Sequence, residues 1–169
     1  MQINVAQLLR SPVGTERDYR IEGSIGAEGE AAEMVVWGGV NLLRTPRSVL
    51  AKCRLTADTE LTCSRCLSLF HLTLKVNIEE EYLPTVDVVS GSYLPPPEEP
   101  GTFTIDEHHI LDLTEAVRQY VLMALPMKPL CREDCAGLCP QCGRNLNEGP
   151  CGCPVQDTDP RWSALRKLR

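Results

Sequence analysis

Eight of the nine cysteines in this chain stand in close pairs, and thiols so spaced are suited above all to holding a metal ion. Cys63-Ser64-Arg65-Cys66 is one pair. Cys131 with Cys135, Cys139 with Cys142, and Cys151 with Cys153 are the others, gathered in one short stretch. Tetrahedral zinc takes four soft ligands at about 2.3 Å, and close pairs supply them with little loop entropy to lose. Four pairs therefore match two four-thiolate sites, and zinc is the expected cofactor. Cys139-Pro140-Gln141-Cys142-Gly143 is the strongest local signal, because Gly143 permits the tight turn whose amides face the sulfurs. Cys151 and Cys153 follow closely, so Cys139, Cys142, Cys151 and Cys153 make a natural local site. Cys131 and Cys135 then need two partners, and Cys63 and Cys66 are the remaining close pair. The first pairing is Cys63, Cys66, Cys131 and Cys135 around one ion, stapling a hairpin tip to the tail. One tail site with spare thiols, or another grouping of the tail cysteines, stays open.

The Cys63–Cys66 pair alone would also suit a redox dithiol. Redox pairs usually open a helix whose N-terminus lowers the thiol pKa, whereas this pair joins two strand patterns, which favours metal. The ninth cysteine, Cys53, falls on the apolar side of a strand pattern and reads as a small buried hydrophobe. His71 falls on a polar side, and His108 and His109 are adjacent and point differently; all read as solvated or structural. There is no Gly-x4-Gly-Lys-Ser/Thr loop, no Gly-x-Ser-x-Gly elbow and no His-Glu-x-x-His helix. No His-x-Glu accompanies the cysteines as in zinc deaminases. With every metal position filled by thiolate, no position stays open for water, so the metal is structural and no catalytic residue is expected.

Around the thiols, the first half of the chain alternates with period two. Phe70, Leu72, Leu74, Val76 and Ile78 face one way, with polar residues between them. Val49, Ala51, Cys53, Leu55, Ala57 and Leu61 repeat the pattern. Met34, Val36, Val40 and Leu42 make an earlier strand, and Tyr19, Ile21 and Ile25 a shorter one. Short connections such as Arg44-Thr45-Pro46-Arg47 predict antiparallel pairing. Pro84 ends the pattern, and residues 84–101 hold five prolines among acids, which reads as a loop. One helix follows: Asp112 as cap with Glu115 three positions on, then an apolar stripe of Leu113, Val117, Tyr120, Val121 and Ala124, stopped by Pro126. The expected fold is α+β: an antiparallel sheet or partly closed barrel over residues 1–126, covered by one C-terminal-half helix, then a cysteine-rich zinc-binding tail over residues 127–169.

The chain of 169 residues, 43% hydrophobic and 24% charged, has the size of one ordinary core plus a small module. A net charge of -6 argues against general coating of nucleic acid. The charge is uneven. From Val76 to Glu107 there are eight acids and no Lys or Arg, while Arg44, Arg47, Lys52 and Arg54, and Arg161, Arg166, Lys167 and Arg169, form acid-free basic stretches. Each reads either as a solvated face or as a contact surface. The second basic stretch lies beside Trp162; the first lacks a nearby aromatic in sequence. No apolar run approaches the ~18 residues of a membrane span and no secretory signal pattern is present, so a cytoplasmic place with reduced thiols is expected.

The stretch from Asp112 to Cys153 resembles the YceD family, in Leu-Thr-Glu-Ala-Val-Arg-Gln-Tyr-Val, in Ala-Leu-Pro-Met-Lys-Pro-Leu-Cys, and in Cys-Ala-Gly-Leu-Cys-Pro-Gln-Cys-Gly-Arg-Asn-Leu-Asn. The Cys63–Cys66 pair after a strand and the Asp159-Pro160-Arg161-Trp162 segment match as well, so the resemblance covers nearly the whole chain. It implies a ribosome-biogenesis factor supporting accumulation of large-subunit ribosomal RNA, not an enzyme. Its cysteines carry over as Cys63, Cys66, Cys131, Cys135, Cys139, Cys142, Cys151 and Cys153. The implied partner is a large-subunit ribosomal precursor, through ribosomal RNA or a basic ribosomal protein on the acidic 76–107 surface. A cytoplasmic thiol redox or metal-sensing protein, and an unrecognised hydrolase, are the competing readings.

Overall fold

The computed structural model describes residues 1–26, 33–97 and 99–154. Its elements in chain order are β1 (Gln2–Asn4), α1 (Ala6–Arg10), β2 (Glu16–Gly26), β3 (Glu33–Arg44), β4 (Val49–Thr62), β5 (Leu69–Pro84), β6 (Phe103–Ile105), β7 (Ile110–Asp112) and α2 (Thr114–Ala124), with a short 3₁₀ turn at Leu146–Glu148. The seven strands form one sheet in the order β1-β7-β6-β5-β4-β3-β2.

Four long strands carry the sheet because their sequences alternate. Met34, Val36, Val40 and Leu42 of β3 lie on the buried face, with Val49, Ala51, Cys53, Leu55 and Ala57 of β4 and Val76, Ile78 and Tyr82 of β5. Lys52, Arg54, Thr73, Lys75 and Asn77 point the other way, as period two requires. The β3–β4 turn is fixed by its own polar groups. The Ser48 amide donates to Thr45 Oγ1 at 3.0 Å, and Arg44 reaches the Ser48 carbonyl at 3.0 Å. The fully buried Ser48 hydroxyl bonds to both Thr45 and Glu81.

Three expectations need correction. The sheet is mixed, since β5 and β6 run parallel, pairing Tyr82 with Phe103 and Pro84 with Ile105. A parallel pair needs a long return connection, and the proline-rich segment supplies it. That segment is structured at its start. Val86 pairs with Tyr93 as an isolated bridge, and the Asp87 carboxylate accepts from the Val89 and Ser90 amides at 3.1 and 2.6 Å. Second, two helices rather than one cover the buried face, because α1 inserts Leu8 and Leu9 into the core. Third, α2 starts without a capping box. Asp112 accepts from the Thr114 amide at 2.8 Å, but Glu115 is held by Arg118 and Gln119 instead of reaching back. Ala116, Val117 and Val121 are its buried stripe, and Tyr120 donates to Glu80 of β5 at 2.8 Å; Ala124 is exposed.

Although β1 and β2 are the two edges of the sheet, a Cβ on Gly23 of β2 would lie 3.5 Å from Met1, the residue before β1. Arg17 of β2 also donates to Gln7 of α1 at 2.9 Å. The sheet therefore curls until its edges approach, as a partly closed barrel. Cys53 sits inside it, and burial pushes its thiol up to about 11.

One part of the sheet leaves this body. β3 pairs with β4 only from Val35–Asp58 to Arg44–Val49, whereas the β4–β5 ladder continues to Thr62–Leu69. Among the described residues, Thr59–Thr62 and Leu69–Leu72 thus form a two-stranded arm, and Cys63 to Ser68 is its tip.

Candidate metal centre

A two-stranded arm is marginal in water by itself, so its tip needs an anchor. The tip is a tight turn in which the Leu67 amide donates to the Cys63 carbonyl at 3.0 Å and the Cys63 amide to the Ser68 carbonyl at 2.9 Å. Both cysteines of the turn are buried. After α2 the chain returns to this tip. The Ser64 amide donates to the Pro129 carbonyl at 2.8 Å, and Arg65 donates to the Cys135 carbonyl at 2.9 Å. These bonds deliver Cys131 and Cys135. The sulfurs of Cys63, Cys66, Cys131 and Cys135 all lie within 4.8 Å of one another. Cys63 and Cys135 are 3.8 Å apart, Cys66 and Cys131 3.7 Å. Four sulfurs at about 2.3 Å from a shared ion form a tetrahedron with edges of about 3.8 Å. Phe70, Leu130 and Leu138 close around the group.

The second group is local to the tail: Cys139, Cys142, Cys151 and Cys153, again within 4.8 Å of one another. It is built on the same turn as the first. The Gly143 amide donates to the Cys139 carbonyl at 2.9 Å and the Cys139 amide to the Arg144 carbonyl at 2.8 Å, the same offsets as at Cys63. The residue after the second cysteine takes positive φ in both turns, 58° at Leu67 and 71° at Gly143. The residue-level pattern hid this repeat, since only one of the two turns carries the glycine that announces it.

Asn147, which stands between Cys142 and Cys151 in the chain, reaches back to the first group, a role that its place at the end of the Cys-Gly-Arg-Asn-Leu-Asn motif does not announce. Its amide nitrogen lies 3.3 Å from Cys135 Sγ and its oxygen accepts from the Ala136 amide at 2.8 Å. A donor on a ligating thiolate orients it and tempers its charge.

The thiols are poised unequally. The Cys66 amide leads the amides that hold Cys63 down to about 6 against its burial. The Ser68 hydroxyl and amide lower Cys66. The Cys142 and Gln141 amides hold Cys139 down to about 6. Burial, then the neighbouring sulfurs of Cys66 and Cys135, push Cys131 up to about 12, and the sulfurs of Cys142 and Cys151 push Cys153 up to about 12. Four thiolates cannot gather without a compensating cation, and a divalent ion supplies that compensation. Both groups could therefore hold a metal ion. All eight remain unbridged cysteines.

The other sequence candidates fall elsewhere. His71 is exposed on the arm near Asp58 and Glu60. His108 is exposed, and His109 stands before β7, away from either cysteine group. Arg161, Trp162, Arg166, Lys167 and Arg169 lie outside the described residues. No helix among the described residues is long and apolar enough to cross a membrane.

Fold and site together define a class: a curled β-sheet protein whose longest hairpin is clasped by a cysteine-rich tail. Comparison with known proteins narrows this. Residues 51–169 match the family model described as "Large ribosomal RNA subunit accumulation protein YceD", and the chain belongs to that family. It is similar to an uncharacterized protein of Mycobacterium leprae, 31% identical over 150 residues, covering 86% of this chain and 66% of that one. An uncharacterized protein of Mycobacterium tuberculosis is 34% identical over 120 residues, covering 71% and 55%. The "Large ribosomal RNA subunit accumulation protein YCED homolog 1, chloroplastic" of Arabidopsis thaliana is 30% identical over 59 residues, covering 35% and 18%. The chain thus spans just over half to about two-thirds of the length of its mycobacterial relatives. No solved structure matches.

Proposed function

We propose that this protein is a ribosome-biogenesis factor that supports accumulation of large-subunit ribosomal RNA, working in the cytoplasm by binding a large-subunit precursor and not by catalysis. The observation that carries the reading is membership of a family described by that role, over residues 51–169, which include all eight paired cysteines. The metal in both groups is zinc, whose tetrahedral four-thiolate preference suits four converging sulfurs. Four protein ligands leave no position for a reacting water, which supports a structural role for each ion.

The test is depletion of the protein in its own cells. Large-subunit RNA should fall relative to small-subunit RNA and return with the unaltered gene. Capture of the protein should enrich large-subunit precursors. An unchanged RNA ratio in depleted cells would reject the role.

A further inference from the structure

The solvent face of β2, β3 and β4 carries a feature that the fold does not need. Gly39 sits in the middle of β3, a strand paired on both sides, where glycine weakens a strand by its extra backbone freedom and lack of a side chain to pack. Its neighbour Gly38 has a packing reason, since a Cβ on Gly38 would lie 2.3 Å from the Arg54 carbonyl oxygen. Gly39 has none: a Cβ there would meet nothing within 4 Å, and its φ is not in the left-handed region. A strand glycine marks a bulge, a sharp bend or a place where a ligand comes close, and the ladder runs through Gly39 without a bulge.

The register shows what surrounds it. Arg20 of β2 and Arg54 of β4 are the direct partners of Gly39 on either side. Two strand spacings put their backbones about 10 Å apart, with the bare glycine between them. Trp37 lies two residues along β3 on the same face, 41% exposed, and Lys75 of β5 stands across from Thr56 beside it. Along the chain the Lys52–Arg54 stretch has no aromatic neighbour; pairing of β3 with β4 provides one. The space over Gly39, bounded by Asp18, Arg20, Asn41, Lys52 and Arg54, is a shallow hollow of ≈590 Å³, and a second hollow of ≈460 Å³ adjoins it between Arg20, Glu22, Gly39 and Trp37.

The acids of this face are largely engaged. Asp18 accepts from Asn41 at 2.9 Å, and Glu79 pairs with Lys52 at 3.1 Å. Asp18, which lines the hollow and whose charge a neutral amide partner does not offset, and Glu22, opposite Trp37, are the acids beside the groove. Arg20, Arg54 and Lys75 pair with no carboxylate among the described residues. Guanidinium groups flanking an open floor suit a phosphate, and an exposed indole beside them suits an unpaired base.

We propose that this face is a binding surface for single-stranded RNA, with a phosphate held over Gly39 between Arg20 and Arg54 and a base stacked on Trp37. The proposal rests on the ribosomal reading and assigns its RNA contact. The acidity of the chain as a whole does not oppose it, because the acid-rich run from Val76 to Glu107 contributes only Asn77, Glu79 and Glu81 to this face.

The test is titration of the full metal-loaded chain with a labelled single-stranded RNA of about 12 nucleotides, at low and moderate salt. Arg20→Gln with Arg54→Gln should weaken binding at least about tenfold and flatten the salt dependence by about 0.7 in log–log slope for each phosphate no longer neutralised. Trp37→Ala should weaken it about 5- to 160-fold, the range seen for loss of one stacked base. Gly39→Thr is the decisive variant: the side chain has room and suits a strand, so the melting temperature should hold or rise while RNA binding falls. Glu22→Gln should tighten binding. With Trp162→Phe, Trp37 is the sole tryptophan, and RNA should quench its fluorescence. Absence of RNA binding, or undiminished binding by the Gly39→Thr and Arg20/Arg54 variants, overturns the proposal. So does loss of a protein partner in these variants with RNA binding intact, which would assign the face to protein. Failure of the ribosomal reading is visible separately, as an unchanged RNA ratio in depleted cells while the purified protein still binds RNA here.

Discussion

The nine cysteines are chemically one residue type but physically two. Cys53 is enclosed by the sheet and contributes packing, so Cys53→Ala should cost about 1 kcal/mol in a denaturant melt and leave metal content unchanged. Cys63 closes the first thiolate group, and the binding energy of a structural metal is folding energy, so Cys63→Ser should remove more than about 4 kcal/mol and one bound ion per chain by elemental analysis. Equal effects at the two positions would contradict the assignment. Leu67 gives a finer test. It adopts φ 58° where the matching turn has Gly143, and its side chain is 63% exposed, so its removal sacrifices little packing. Leu67→Gly should raise stability by about 1 kcal/mol, and Gly143→Leu should lower it by a similar amount. A destabilised Leu67→Gly would show that the turn depends on the leucine side chain.

Among the elements, the entry to α2 contributes to the acid sensitivity of the fold. Partial burial pushes the Asp112 carboxyl up, but hydrogen bonds from the Thr114 hydroxyl and amide and from Gln2 outweigh it and hold the carboxyl below the usual range. A depressed folded-state pKa means stability that is present above about pH 4 and lost as pH falls below that. Asp112→Asn should therefore melt lower than the unaltered protein at pH 7, and the difference should shrink on acidification, as followed by circular dichroism. A difference independent of pH would leave the carboxylate without this role. The same elements show what a sequence conveys. β3, β4 and β5 were legible because one face is buried and the other wet, and all eight metal-site candidates were legible from spacing. β2 looked short because its half-buried positions include Arg17 and Gly23, which break the apolar alternation. β6 and β7 are three residues each, below any period, and α1 is five. The parallel β5–β6 pair and the placing of Trp37 on the strand beside Arg54 depend on register between distant segments, which local patterning does not encode.

In the whole molecule the two cysteine groups lie where the apolar core does not reach. The main core ends with the barrel, and the arm tip is enclosed instead by sulfur, Phe70, Leu130 and Leu138. Chelation should accordingly loosen the molecule from that end. Hydrogen exchange should rise first at Thr59–Thr62 and Leu69–Leu72 and in residues 129–154, while Val36–Val40 stays protected. Uniform loss of protection would mean that the barrel itself depends on the ions. The span of the first group also fixes an order in time. Cys63 and Cys135 are 72 residues apart, and at 5–20 residues per second a ribosome takes about 4–14 s to make that interval. Throughout it Cys63 and Cys66 wait without Cys131 and Cys135, open to any oxidant or competing ion. Cys135 leaves the ribosome ahead of Cys151 and Cys153, so the long-range group has its last ligand in solution before the local group does.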